Sequence, residues 1–161
     1  MSNPTADWYP AITQKLEALG HEVVIPAMPG HRHPEAEKWI EIIEREVASN
    51  KEVVLVGHSL GTRAIVLFLN QSDANLKQVF LIAPPDIEEH PKRDNAWHTK
   101  VDFEKFKQSD ITVLASKNDP IVKFEYSRNL ARKLGAKFVE TDSHGHFAKP
   151  SDAEIIFETI K

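Results

Sequence analysis

Residues 57–61 read Gly57-His58-Ser59-Leu60-Gly61, a serine framed by two glycines, and two histidines follow far downstream in "TDSHGHF". A serine hydroxyl becomes a nucleophile at neutral pH only when a general base takes its proton and an acid orients that base. The chain supplies all three residue types in the order serine, aspartate, histidine. The chemistry this could perform is acyl transfer, with Ser59 attacking a carbonyl.

The glycine-framed serine needs a strand leading in and a helix leading out, so that its hydroxyl stands on a sharp, strained turn. "VVLV" before it reads as a buried strand, and the apolar run after Leu60 reads as a buried helix to about Asn70. A plain strand-to-helix turn with serine near an N-cap is the alternative reading of the same residues. The acid is best placed at Asp119, in the loop "SKNDPIV" after the strand "ITVLAS". Asp86 also follows a strand, Asp110 lies at the wrong end of one, and Asp142 sits close to the histidines. His144 and His146 flank a glycine, and spacing alone does not choose between them. His58 is too near Ser59 along the turn to be its base and is expected to pack or line the pocket.

These residues must be positioned by alternating strands and helices. Helices are predicted over Ala6–Leu19, from Pro34 through Val47, over Glu125–Leu134 and from Ser151 to the end. Strands are predicted in "HEVVIPAMPG", Val53–Val56, "QVFLIAPPD", "ITVLAS" and "AKFVE". Ser151 and Glu154 have capping-box spacing. The strands are continuously apolar, as strands covered on both faces are, which predicts an α/β fold with a mostly parallel sheet in a three-layer sandwich. Ligands in such sheets bind at the carboxyl ends of the strands.

The 161 residues are expected to form one domain spanning 1–161, with 41% hydrophobic and 27% charged residues and a net charge of −4. That balance offers no basic footprint for nucleic acid. No apolar run reaches the length of a membrane span, and no leader is evident. The absence of cysteine suits a cytoplasmic setting. No metal site has recognisable spacing, no cofactor is implied, and a small acyl compound is the expected substrate.

Taken together, "DWYPAITQKLEALGHEVVIPAMPG", "VVLVGHSLGTRAIVLFL", "LIAPPD", "ASKNDPIVKFEYSRNLARKLGA" and "GHF" resemble the small serine hydrolases grouped with retinoblastoma-binding protein 9 and YdeN. The likeness runs through nearly the whole chain. It implies an α/β-hydrolase core without a large lid, cleavage of small esters or amides, and a triad of Ser59, Asp119 and His146. The resemblance, rather than the chemistry, selects His146 over His144. It also implies an oxyanion site built from the Leu60 N–H and a second donor from a loop near the N-terminus. Met28, Trp97 and Phe147, with His58, are the expected pocket lining; Trp97 lies in the loop Ile87–Lys107 that would cover the site or plug onto the core.

Such proteins open with an apolar strand ending in His-Gly, and this sequence begins beyond that point. The neighbours of that strand are expected to close up, leave a gap, or take a substitute from another chain, and an exposed edge would favour a homodimer. Loss of one oxyanion donor costs about 10²–10³ in turnover. A hydrolase-fold binding protein or an N-terminally shortened hydrolase is therefore the competing expectation, unless Ser2–Ala6 supplies the missing N–H.

Overall fold

A computed structural model describes residues 4–30, 32–50, 52–74, 76–86 and 95–161. Four strands form one sheet: β1 (Val54–His58), β2 (Gln78–Ile82), β3 (Ile111–Ser116) and β4 (Lys137–Thr141). They pair in parallel in chain order, Val56 opposite Phe80, Phe80 opposite Thr112 and Val113 opposite Phe138. Parallel neighbours need crossovers, and helices supply them. The helices are α1 (Tyr9–Glu17), α2 (Ala36–Ala48), α3 (Leu60–Gln71), α4 (Phe124–Leu134) and α5 (Ala153–Ile160).

Apolar residues of the strands are divided between the two faces of the sheet. Val79, Leu81, Ile111 and Val113 pack with Trp39, Ile40 and Ile43 of α2, with α3, and with Leu130 and Leu134 of α4. On the other side Ile82 and Leu114 pack with Trp8, with Ile12 of α1 and with Ile156 of α5. Helices thus cover both sides of the sheet, the three-layer α/β/α arrangement expected. All of β3 is buried, consistent with its unbroken apolar run. At the end of α4, Gly135 adopts φ 67° and ends the helix in a left-handed cap.

Two expectations are corrected. The segment "HEVVIPAMPG" forms no strand: residues 21–28 run without regular structure, and Val24 is 51% exposed. A strand exists only through a partner, and a cleft of about 1120 Å³ separates this segment from β1. Val23–Pro26 and Met28 form one wall and Val53–Gly57 another, with Ile12, Leu16, Trp39 and Ile43 also lining it. Among the described residues, no strand pairs with β1 on that side. β1 is consequently an edge, the edge expected to be open to a second copy, and Val54 and Val56 are each more than a third exposed. The second correction concerns α5. The side-chain bond at this corner is made by Asp152, not Ser151: Asp152 Oδ2 accepts the Lys149 N–H at 2.9 Å and closes the 3-10 turn Pro150–Asp152, and α5 begins at Ala153 without a side-chain cap.

Among the described residues, no helix is long and apolar enough to cross a membrane.

Candidate active site

The strand-turn-helix around Ser59 has the geometry its glycines predict. Ser59 joins β1 to α3 with φ 51° and ψ −120°, a conformation that costs an L-residue about 1–3 kcal/mol. The turn is held on both sides. Ser59 N–H donates to the Ile82 carbonyl at 2.9 Å, and the Ser59 carbonyl accepts from Thr62 N–H at 3.0 Å and from Thr62 Oγ1 at 2.6 Å. Gly57 is required for close approach: a Cβ there would lie 2.7 Å from Ile65 Cδ1 and 3.0 Å from backbone atoms of Gly61 and Thr62. Gly61 is under no such pressure, since a Cβ there would meet nothing within 4 Å.

Leu60 is the first residue of α3, so its N–H has no acceptor within the helix and adds to the positive end of the helix dipole. An oxygen anion forming beside Ser59 would find that donor.

The loops after β3 and β4 bring an acid and an imidazole together. His146 Nδ1 lies 2.8 Å from Asp119 Oδ2, with side-chain exposures of 10% and 3%. Facing a carboxylate, Nδ1 carries the proton, and Nε2 is left with its lone pair. The other oxygen of Asp119, Oδ1, accepts the N–H groups of Ile121 and Val122 at 2.8 and 2.9 Å. Burial alone would raise the Asp119 carboxyl. The hydrogen bonds from His146, Val122 and Ile121 outweigh it and hold the group below its ordinary value.

The alternatives fall elsewhere. His144 Nδ1 contacts Asp152 Oδ1 at 3.1 Å, a second histidine–aspartate pair at the foot of α5. Asp142 is exposed and paired with Lys117, and Asp110 accepts from Gln78 at the opposite end of β3. Asp86 follows β2 close enough to Arg63 to act on its charge.

His58 is half-buried and does more than line the cleft. Its Nε2 lies 2.7 Å from the carbonyl oxygen of His146, and the two rings are 4.9 Å apart. A carbonyl only accepts, so Nε2 carries the proton. Burial pushes the His58 imidazole down to about 4, against the opposing pull of that hydrogen bond, and it is neutral at pH 7. Trp8 stands edge-on to His58 at 6.1 Å and donates its indole N–H to the Phe147 carbonyl at 2.9 Å. Sequence reasoning did not find Trp8; its place in a helical apolar stripe gave no sign of this contact.

The cleft beside β1 includes Met28, His58, Ser59, Leu60 and His146 among its lining residues. Trp97 and Phe147, expected there, are core residues instead. Trp97 is 2% exposed, donates its indole N–H to the Pro34 carbonyl at 2.9 Å, and packs edge-on against Trp39. Its own carbonyl accepts from buried Arg63, so the tryptophan plugs its loop onto the core. Phe147 is fully buried and stacked with His144. Of the expected covering loop, Ile87–Asp94 lies outside the described residues. The rest contains two short 3-10 turns, Asn95–His98 and Phe103–Phe106. Ser2 and Asn3 also lie outside the described residues, while Pro4, Ala6 and Asp7 line the same cleft as Ser59.

Among the described residues, four non-glycines have left-handed φ: Asp7, Ser59, Ala83 and Phe147. Ser59 and Ala83 directly follow β1 and β2, Phe147 adjoins His146, and Asp7 lines the cleft. Such strain gathers where surrounding structure over-determines the backbone, as it does around functional sites.

A parallel sheet between helices, with a strained serine turn at the carboxyl end of a strand, defines an α/β-hydrolase fold. The sequence pattern of the serine hydrolase family matches residues 1–154, and the chain belongs to that family. It is 29% identical over 153 residues to the Bacillus subtilis (strain 168) protein YdeN, covering 91% of this chain and 80% of that one. Serine hydrolase RBBP9 of Rattus norvegicus is 22% identical over 156 residues, covering 94% and 84%. The crystal structure of the B. subtilis ydeN gene product superposes with a TM-score of 0.84 at 27% identity, covering 98% and 90% of the two chains. Est1E of Butyrivibrio proteoclasticus shares the fold, with a TM-score of 0.77 at 15% identity over 100% and 82%. The protein is accordingly a hydrolase of this family.

Proposed function

We propose that the protein is a carboxylesterase-like serine hydrolase that cleaves small ester or amide substrates through an acyl-enzyme on Ser59. His146 removes the hydroxyl proton as Ser59 adds to the carbonyl, then returns it to the leaving group. Asp119 holds the imidazole with Nδ1 protonated and stabilises the imidazolium. The Leu60 N–H binds the developing oxyanion, and the second donor comes from the segment around Ala6 and Asp7 that lines the cleft. Water activated by the same histidine then hydrolyses the acyl-enzyme. The observation that carries this reading is the 2.8 Å bond between His146 Nδ1 and Asp119 Oδ2, with His146 lining the same cleft as Ser59. Met28 and His58 would meet the substrate along that cleft.

A second reading, a hydrolase-fold protein that binds an acyl ligand with little turnover, is favoured by one observation. Among the described residues, no hydrogen bond joins Ser59 Oγ to His146. One experiment separates the two. The purified protein and Ser59→Ala are treated with a fluorophosphonate, and intact masses are read. A single adduct on the parent protein alone supports the hydrolase; an unmodified, folded parent protein supports the binding protein.

A further inference from the structure

The acid–base pair is gripped by more than its own hydrogen bond. His144 N–H donates to Ser116 Oγ at 3.0 Å, and Ser116 O–H donates to Asn118 Oδ1 at 2.7 Å. The same Asn118 oxygen accepts the Gly145 N–H at 2.8 Å. An N–H can only donate, so the amide oxygen must face Gly145, and its two lone pairs are both engaged. Ser116 is 1% exposed, and the Asp119 N–H closes the segment back onto the Ser116 carbonyl at 3.2 Å. Within four residues at the end of β3, the chain therefore holds the backbone of 144–145 through Ser116 and Asn118. It holds the imidazole of the next residue through Asp119. Gly145 suits this grip because its φ of 56° is one that L side chains rarely adopt.

Resting on the catalytic reading above, we infer that Asn118, with Ser116 as its relay, is a positioning residue that sets where the His146 imidazole stands relative to Ser59. Asp119 alone fixes one edge of the ring; a backbone free to shift would let the ring pivot about that bond. Displacement of a reacting group by about 1 Å can cost 10²-fold in rate. Asn118 touches no reacting atom in this scheme. Its effect passes through the backbone of the base loop.

The test compares Asn118→Leu, which keeps the size and removes the acceptor, with Asn118→Asp, which keeps the shape and both lone pairs. Two readouts are taken: the fluorophosphonate labelling rate of Ser59 against pH, and the proton resonance of His146 Nδ1–H. Asn118→Leu is expected to label about 10- to 100-fold more slowly and to broaden the Nδ1 proton. Asn118→Asp is expected to label at near the parent rate above its pH midpoint, with that midpoint raised by the added negative charge. Should Asn118→Leu fail to fold, Ser116→Ala takes its place, with slower labelling and the same broadening expected. Parent-like labelling and an unchanged Nδ1 proton in Asn118→Leu would overturn the inference. Equal losses in the leucine and aspartate variants would overturn it too, since the acceptor would then not matter. If the parent protein is not labelled at all, the hydrolase reading fails, and the Nδ1 proton still decides whether Asn118 holds the loop.

Discussion

His58 Nε2 and the carbonyl oxygen of His146 stand 2.7 Å apart, joining the turn that carries Ser59 to the loop that carries the imidazole. The residue before the serine thus fixes the distance between two segments 88 positions apart in the chain. It does so as a neutral, half-buried imidazole.

That neutrality makes stability depend on pH. Folding lowers the His58 pKa from 6.5 to about 4, so its contribution is intact above 6.5 and is lost as pH falls toward 4. The loss amounts to about 3 kcal/mol, to order of magnitude. His58→Gln retains an N–H donor and does not titrate. Urea unfolding at pH 7, 5.5 and 4 should show the parent losing stability faster than the variant. Parallel losses would place the effect on other groups.

Asp119 orients the imidazole, so Asp119→Asn should reverse the favoured tautomer. The expected outcome is a fall in kcat of about 10³–10⁴-fold on p-nitrophenyl acetate, with the secondary structure retained by circular dichroism. Because the folded Asp119 pKa is depressed, its stabilising contribution is present above the unfolded value and lost as pH falls through the folded one.

The two glycines of the motif should respond differently. Gly57→Ala drives a Cβ to within 2.7 Å of Ile65 and 3.0 Å of the Gly61 and Thr62 backbone, forcing the turn open. A lower Tm and loss of labelling at Ser59 are expected. Gly61→Ala meets open space inside a helix and should leave Tm unchanged or raise stability by up to about 1 kcal/mol. Paired melting curves and labelling rates decide the contrast.

Trp97→Ala should cost about 3–5 kcal/mol of stability, as large-to-small changes of buried aromatics do. With the fold kept by low temperature, relative kcat/KM across acetyl, butyryl and octanoyl esters should not change. A changed chain-length preference would return Trp97 to the substrate cleft.

The motif around Ser59 was legible because its spacing, strand and helix are all local. The pairing of Asp119 with a histidine of the last loop was legible because a parallel sheet gathers its loops at one end, which favoured Asp119 over Asp110. What was hidden depends on partners distant in sequence. His144 and His146 differ by which carboxylate each meets, and only the packing of α5 gives Asp152 to His144. The apolar residues "EVVIP" have strand composition but lie across the cleft from the open edge of β1, so they pair with nothing there and pattern alone misleads. Trp97 and Phe147 looked like cleft residues from their loops; an indole donating to Pro34 and a ring stacked on His144 put them in the core.

The two edges of the β1 backbone meet different surroundings. Val53 and Ser59 bond across to β2, so strand alternation turns Leu55 and Gly57 the same way and aims the amides of Val54, Val56 and His58 toward the cleft. Deuterium should therefore enter every second amide of this strand quickly and the intervening ones slowly, a two-residue rhythm within a single element. An extended segment seated against β1 would silence the fast amides and leave the slow ones unchanged. The strand that carries the serine thus records, residue by residue, whether its open side is occupied.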